Sequence, residues 1–306
     1  MSAEQPSNLA ASVRQRLLNI AKRDGEAFDL VLTRYALERF LYRLGHSQYH
    51  NQFLLNGAML FAVWGGEPHR PTRDIDLLGY GSSDISLLED IFRNICQELV
   101  EPDGVEFMTD TLRASEIRLD QEYQGVRVQF EARLENAVIK IQVDIGFGDA
   151  VTPAPEDIIY SVVLDFAAPR LRAYPVYTVV AEKFQAMVLL GIANTRMKDF
   201  YDIWFVSQKF SFEGRLLAQA VAATFARRNT PLPTATPLAL STTFSGDEVK
   251  QKQWKAFLRK NALPLDKLAL DVVVKALYDF LMPAITNNDM DLKFHSVWPP
   301  GGPWVN

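Results

Sequence analysis

Leu9, Val13, Leu17 and Ala21 recur every four residues, which predicts an amphipathic helix over residues 7–24 with Ser7 or Asn8 at its cap. The same reading predicts a second helix over residues 28–45, ending at Gly45. The period then shortens. Phe53-Leu54-Leu55 is a brief apolar run before Asn56-Gly57 and predicts a strand, followed by a helix from Ala58 to Trp64 that stops at Gly65-Gly66. Residues 74–80 predict a second strand, Gly81-Ser82-Ser83 a turn, and residues 84–99 another helix. Over residues 126–134 the alternation is strict: Val126, Val128, Phe130, Ala132 and Leu134 against Arg127, Gln129, Glu131 and Arg133. Residues 138–145 repeat it, with Ile139, Ile141, Val143 and Ile145 on one side and Lys140, Gln142 and Asp144 on the other. Glu135-Asn136 can turn the chain, so these two segments are expected to form a hairpin.

Beyond Pro175 the pattern becomes helical, with helices predicted over residues 177–191, 197–209, 214–228, 249–261 and 266–281. The stretch from Asn229 to Gly246 is rich in Pro, Thr and Ser and is expected to be a long mobile loop. These elements predict an α+β fold: a mixed β-sheet core flanked by helices, then a helical C-terminal part. The expected division is residues 1–174 and 175–306, with a boundary near Tyr174.

Composition adds a few exclusions. The chain has 306 residues, 48% hydrophobic and 23% charged, enough to bury a sizeable core. Its net charge of −5 is not that of a protein that coats nucleic acid nonspecifically, so any RNA contact must be a local patch. One basic run exists: Lys250, Lys252, Lys255, Arg259 and Lys260, with Trp254 and Phe257 interleaved. It reads either as a solvated helix face or as an RNA-backbone contact. The single cysteine, Cys96, lies in an apolar-periodic stretch, which predicts a core residue and excludes an intrachain disulfide. His46 and His50 are spaced i,i+4 without an HExxH or cysteine cluster, so the pattern gives no zinc site. The N-terminus lacks a signal pattern, and no uninterrupted apolar run reaches the roughly 18 residues of a membrane span, so a cytoplasmic protein is expected.

The chemistry concentrates in carboxylates. In Arg73-Asp74-Ile75-Asp76-Leu77, strand geometry points Asp74 and Asp76 to one face while Ile75 and Leu77 enter the core. Two adjacent carboxylates repel, and a divalent ion removes that conflict. Magnesium in particular combines one or two carboxylates with substrate phosphates. A DxD alone is equally a pair of solvated strand-end aspartates. Asp144 sits on the polar side of its own strand, so if the two strands are neighbours three carboxylates meet on one face. Such a set could hold two ions that align an attacking oxygen and a leaving pyrophosphate. The strand–glycine–helix passage at Asn56-Gly57-Ala58 could present backbone N–H groups to phosphate, or be a simple turn. Lys183 reads as a snorkelling lysine, a surface ion pair or a phosphate contact. Asp199 and Asp202 share a helix face, with Arg196 and Lys198 beside them.

Taken together, NGAMLFAVW (56–64), HRPTRDIDLLG (69–79), IQVDIGFGD (141–149) and VVAEKFQAM…RMKDFYDIW (179–204) resemble the AbiEii family of nucleotidyltransferase toxins, which includes the MenT toxins. Residues 1–45 and 210–306 contribute little to the likeness. The resemblance implies a DNA polymerase β-like nucleotidyltransferase core whose active site is completed by the helical part. It implies Mg²⁺-dependent use of an NTP (Mn²⁺ being the alternative ion), transfer to an acceptor such as the 3′ end of tRNA, and a cognate antitoxin partner. Position by position, it makes Gly57 and Ala58 the glycine turn at the nucleotide. It makes Asp74, Asp76 and Asp144 the metal ligands and Lys183 the triphosphate contact. Asp199 and Asp202 become the acidic pair of the last motif, with Asp199 in a catalytic role, and Arg196, Lys198 and Asp202 lie at the nucleotide. Asn56, Ala58, Val188 and Lys198 depart from the residues more usual there. Two alternatives stand beside this reading: a metal-dependent phosphohydrolase using a DxD aspartate as nucleophile, and a non-catalytic nucleotide-binding protein of the same fold.

Overall fold

A computed structural model of the chain describes residues 8–65, 72–118, 124–261, 263, 268–286 and 295–306. Ser7, Gly66, His69, Arg70 and the first residues of the helix expected over 266–281 lie outside them. The described residues form a mixed α+β structure in two compact units, Met1–Gly148 with Glu156–Ala173, and Asp149–Pro155 with Tyr174–Asn306.

The first unit carries helices α1 (Leu9–Asp24), α2 (Phe28–His46), α3 (Leu60–Gly65) and α4 (Ile85–Cys96). Its strands are β1 (Phe53–Asn56), β2 (Ile75–Gly79), β3 (Glu106–Arg118), β4 (Gln124–Leu134), β5 (Ala137–Phe147), β6 (Glu156–Ile159) and β7 (Arg170–Ala173). They make one seven-stranded sheet in the order β3-β4-β5-β2-β1-β7-β6. The pairs β2/β5 and β1/β7 are parallel and the others antiparallel. The hairpin of β4 and β5 turns at Glu135, whose φ of 55° is the left-handed conformation that a two-residue turn needs.

The alternation in β4 and β5 decides which sheet face is buried. Val128, Phe130, Ile139, Ile141 and Val143 all lie in the core. Phe40 of α2 meets Phe130 at 5.3 Å, Phe92 of α4 at 5.6 Å and Phe107 of β3 at 5.9 Å, so one aromatic cluster joins both helices to the outer strands. Truncating one such ring costs about 3–5 kcal/mol. Helix α2 also approaches β7 closely, because a side chain at Gly45 would run into the Arg170 carbonyl. Cys96 is buried, as its apolar neighbours imply, and burial pushes its thiol up to about 12.

The second unit contains α5 (Val176–Leu190), α6 (Met197–Lys209), α7 (Gly214–Arg227), α8 (Thr242–Gly246), α9 (Glu248–Lys260) and α10 (Leu270–Thr286), with a small ribbon of β8 (Phe212–Glu213) and β9 (Val297–Trp298). Among the described residues the window Val176–Ala193 is apolar and long enough to cross a bilayer on composition alone. Its Val179, Val180, Phe184 and Met187 are core residues of this unit.

Three expectations change. Strand β3 is absent from the pattern because a register shift between Met108 and Arg113 breaks its alternation. Strands β6 and β7, with four residues each, are too short to declare a period. The stretch 229–246 is not a mobile loop throughout, since Ala239, Leu240 and Phe244 are buried and Phe244 stacks on Phe200 at 5.0 Å. Its Pro, Thr and Ser instead frame a short 3₁₀ turn at Leu238–Leu240 and cap α8, where the Ser241 hydroxyl accepts from the Phe244 N–H.

Candidate active site

The parallel register of β2 and β5 sets Asp76 directly beside Asp144. Asp74 lies one residue before β2, where the Thr72 hydroxyl donates to its carboxylate at 2.6 Å. The flanking Ile75 and Leu77 are buried, which turns both aspartates to the opposite face. One carboxylate oxygen from each of Asp74, Asp76 and Asp144 can be chosen so that all three lie within 4.8 Å of one another. Asp144 is the buried member, and the other two are half-buried.

Gly57 explains how Asp76 fits. It follows β1, has φ +72°, and a Cβ placed on it would overlap the Asp76 carboxylate. Both the backbone angle and the space therefore demand glycine. Its N–H is taken by the Asn56 side chain at 2.6 Å, and a 3₁₀ turn, Gly57–Met59, leads into α3. Ala58 sits half-buried in that turn.

A fourth charged residue joins this cluster. Arg127 of β4 is the register partner of Asp144. Its Nε donates to Asp144 Oδ1 and its Nη2 to Oδ2, both at 2.7 Å. The hydrogen bond to Asp144, the negative charge of that carboxylate, and those of Asp74 and Asp76 raise the guanidinium pKa. Sequence reasoning did not single out Arg127, although the signal was present. A two-residue turn at Glu135-Asn136 pairs Leu134 with Ala137 and, counting outward, Arg127 with Asp144. Three carboxylates converging on one face present hard oxygen donors, and that set fits a divalent cation.

The other expected site residues belong to the second unit. Lys183 of α5 lies between two carboxylates of α6, 2.9 Å from Asp199 and 2.9 Å from Asp202. Arg196, just before α6, stands 2.7 Å from the other Asp199 oxygen. Both aspartates are fully buried, so the i,i+3 pair is a socket that fixes the lysine ammonium. Asp199, with a cation at each oxygen, is arranged to hold those cations in place. Lys198 is exposed.

A neighbouring network went unnoticed in the sequence. Arg228 reaches Asp149 at 3.1 Å, Glu182 at 3.3 Å and the Gln185 amide at 3.2 Å. Burial drives the Glu182 carboxyl up to about 7 against the opposing pull of Arg228. The basic run divides in α9. Lys250 is buried and donates to the Asn194 carbonyl at 2.9 Å, and Trp254 is buried with its indole N–H on the Leu268 carbonyl at 2.7 Å. Lys252, Lys255, Arg259 and Lys260 remain exposed. Lys250 and Trp254 therefore serve the core of this unit and cannot act as a phosphate contact and a stacking platform.

The model of the family described as nucleotidyl transferase AbiEii toxin, type IV TA system, matches residues 39–276. Comparison with curated proteins finds no match. Among solved structures, the chain is similar to JHP933 from Helicobacter pylori at 14% identity and a TM-score of 0.47, covering 82% of this chain and 93% of that one. It is also similar to a candidate nucleotidyltransferase from H. pylori at 14% identity and a TM-score of 0.45, covering 80% of this chain and 93% of that one.

Proposed function

The chain belongs to the AbiEii family of nucleotidyl transferase toxins of type IV toxin–antitoxin systems, and from that premise we propose that it transfers a nucleotide from an NTP to the 3′ end of tRNA at a centre built on Asp74, Asp76 and Asp144. Family membership carries with it an antitoxin partner and a nucleotide substrate. It also sets aside the phosphohydrolase reading.

The observation that carries the site assignment is the convergence of three carboxylates on adjacent strands. We assign them Mg²⁺, or Mn²⁺ in its place, because the donors are all hard oxygens. When bound, such ions neutralise the triphosphate and polarise the reacting oxygens. The chain's own residues do the rest. Gly57 gives Asp76 its room, and Thr72 orients Asp74. Lys183, held between Asp199 and Asp202, is assigned the cation for the triphosphate, with Arg196 fixed on Asp199 beside it. Asp199 and Asp202 are then positioning residues. Ala58 and Lys198 are assigned to the nucleotide's surroundings. The transfer joins the acceptor hydroxyl oxygen to the α-phosphorus and breaks the bond to the β-phosphate, releasing pyrophosphate and passing the hydroxyl proton to water.

The test is incubation of the full chain with each labelled NTP, Mg²⁺ and total tRNA, followed by sequencing of the labelled ends. Label at tRNA 3′ termini with stoichiometric pyrophosphate is the expected result. Pyrophosphate release with label on another RNA would overturn the acceptor, and phosphate release without label would overturn the transfer.

A further inference from the structure

We propose that a groove beside the triad, on the polar face of β3, β4 and β5, seats the terminal nucleoside of the acceptor strand, and that the Gln129 carbonyl oxygen accepts a hydrogen bond from it. The inference rests on the reading of the chain as a transferase that uses tRNA, and names where that second substrate lies.

The groove has a volume of about 730 Å³, within the range of sites that hold a small ligand. Its lining belongs to the first unit, and Asp74 forms part of the wall, so the groove adjoins the triad. Strand alternation lays its floor. Asp144, Gln142 and Lys140 follow one another on the polar side of β5, and their register partners Arg127, Gln129 and Glu131 do the same on β4. At about 3.4 Å per residue, this floor runs about 14 Å from Asp144 to Lys140. The turn assigned to the nucleotide, at Gly57 and Ala58, follows β1, and β2 lies between β1 and β5 in the sheet. The triad therefore separates that turn from the groove, and two substrates can reach it from opposite sides.

The lining selects a nucleoside over a run of phosphates. Arg73 is paired with Asp29 at 2.7 Å, and Lys140 has Glu131 as its register partner, so acids accompany the bases round the groove. A phosphate chain laid there would meet carboxylates. A base and ribose meet amides instead. The orientation of those amides is set from the triad. An ionised carboxylate only accepts hydrogen bonds, so Gln142 must turn its Nε2 to Asp144, at 3.4 Å. Its Oε1 then accepts from Gln129 Nε2 at 3.1 Å. The chain of amides ends on the Gln129 carbonyl oxygen, an acceptor on an exposed side chain in the groove. The donor it fits is a ribose hydroxyl or a base amine of the terminal nucleoside.

A Gln129 that merely props Asp144 through Gln142 would change kcat and leave the acceptor's KM alone. A Gln129 that holds the acceptor changes the KM for tRNA and not the KM for NTP.

The experiment uses the full chain as wild type, Gln129→Leu and Val138→Trp. Val138 lines the groove and is 59% exposed, so the tryptophan adds bulk there without touching the amide chain. Steady-state transfer gives separate KM values for tRNA and NTP. Photocrosslinking of a tRNA whose terminal adenosine is 2-azidoadenosine, read by mass spectrometry, locates the strand end without turnover. Both variants are expected to raise the KM for tRNA, Gln129→Leu by about three- to tenfold, the scale of one hydrogen bond, with the KM for NTP unchanged. Crosslinks are expected within residues 111–113, 129–131 or 138–142. A lower kcat at unchanged tRNA KM, or crosslinks confined to other segments, overturns the groove assignment while leaving the transferase reading intact. A raised KM for NTP alone would place the incoming nucleotide in the groove and overturn it equally. If the wild type transfers nothing to tRNA, the reading beneath the proposal falls, and the proposal with it. A second pair of tRNAs, ending in 2′-deoxyadenosine or in uridine, tells which donor Gln129 accepts from: the variant's penalty should vanish with the deoxy end for a 2′-hydroxyl, or with the uridine end for a base amine. A penalty that persists with both ends contradicts the hydrogen bond. Thermal melts of each variant establish that it is folded.

Discussion

The two charged clusters of this protein use similar residues in opposite ways. On the sheet of the first unit, Asp74, Asp76 and Asp144 converge on one face, with Arg127 forked onto Asp144. On α5 and α6 of the second unit, Asp199 and Asp202 grip Lys183, and Asp199 also holds Arg196. The first cluster is half-open and the aspartates of the second are fully buried. A half-open cluster of carboxylates spends stability on a site for a cation, whereas a buried set of ion pairs is part of the unit's own structure. The difference separates carboxylates that act on a ligand from carboxylates that hold a cation in place, although both appear in the sequence as closely spaced aspartates.

The largest expected effect lies in the buried cluster. Asp199→Asn removes the buried carboxylate that pairs with both Lys183 and Arg196, and should cost about 3–5 kcal/mol of folding stability, read from urea melts. A loss below about 1 kcal/mol would mean that the buried pair is not structural. Asp76→Asn should act in reverse. Transfer should fall by about 10²–10³, the scale of losing one electrostatic contact to the transition state. Stability should change far less than in Asp199→Asn, because Asp76 is half-buried whereas Asp199 is fully buried. A melt as depressed as that of Asp199→Asn would erase the contrast. Lys183→Arg keeps the ion pairs but alters reach and shape, and should lower kcat/KM for NTP by about tenfold, roughly 1.4 kcal/mol. Its tRNA affinity should stay near wild type. Unchanged NTP dependence would count against the triphosphate role.

The smallest effect is a pH dependence. Glu182 is pushed up to about 7 by burial, above its ordinary 4.5. Between those values the folded state binds more protons than the unfolded one, so stability declines as pH rises through the window and levels off above it. Glu182→Gln lacks that decline. The difference in Tm, variant minus wild type, should therefore grow from pH 5 to pH 8, and a flat difference would contradict the assignment.

Much of the first cluster was legible in the sequence because strand sidedness has a period of two and survives without tertiary information. The polar side of residues 138–144 and the DxD pair were enough to expect one shared face, and the register of Asp76 with Asp144 meets that expectation. Arg127 was legible only through the register of the hairpin, one inference further on. The second cluster was harder. Helical spacing puts Asp199 and Asp202 on one face but does not say which lysine arrives from another helix, and the resemblance to known toxins supplied Lys183. The basic run in α9 was legible only in part, because charge was read without the helix's buried stripe. Lys250 and Trp254, at i,i+4, are both on it. The register shift in β3 and the brevity of β6 and β7 left no period to find.

Ion binding by the aspartate triad can be measured without substrate. Calorimetric titration of Mn²⁺ into the wild type, Asp76→Asn and Lys183→Arg separates the two clusters in a single series. The expected result is saturable binding by the wild type and by Lys183→Arg, and its loss in a folded Asp76→Asn. Equal binding by all three proteins would contradict the assignment of Asp74, Asp76 and Asp144 as the metal centre.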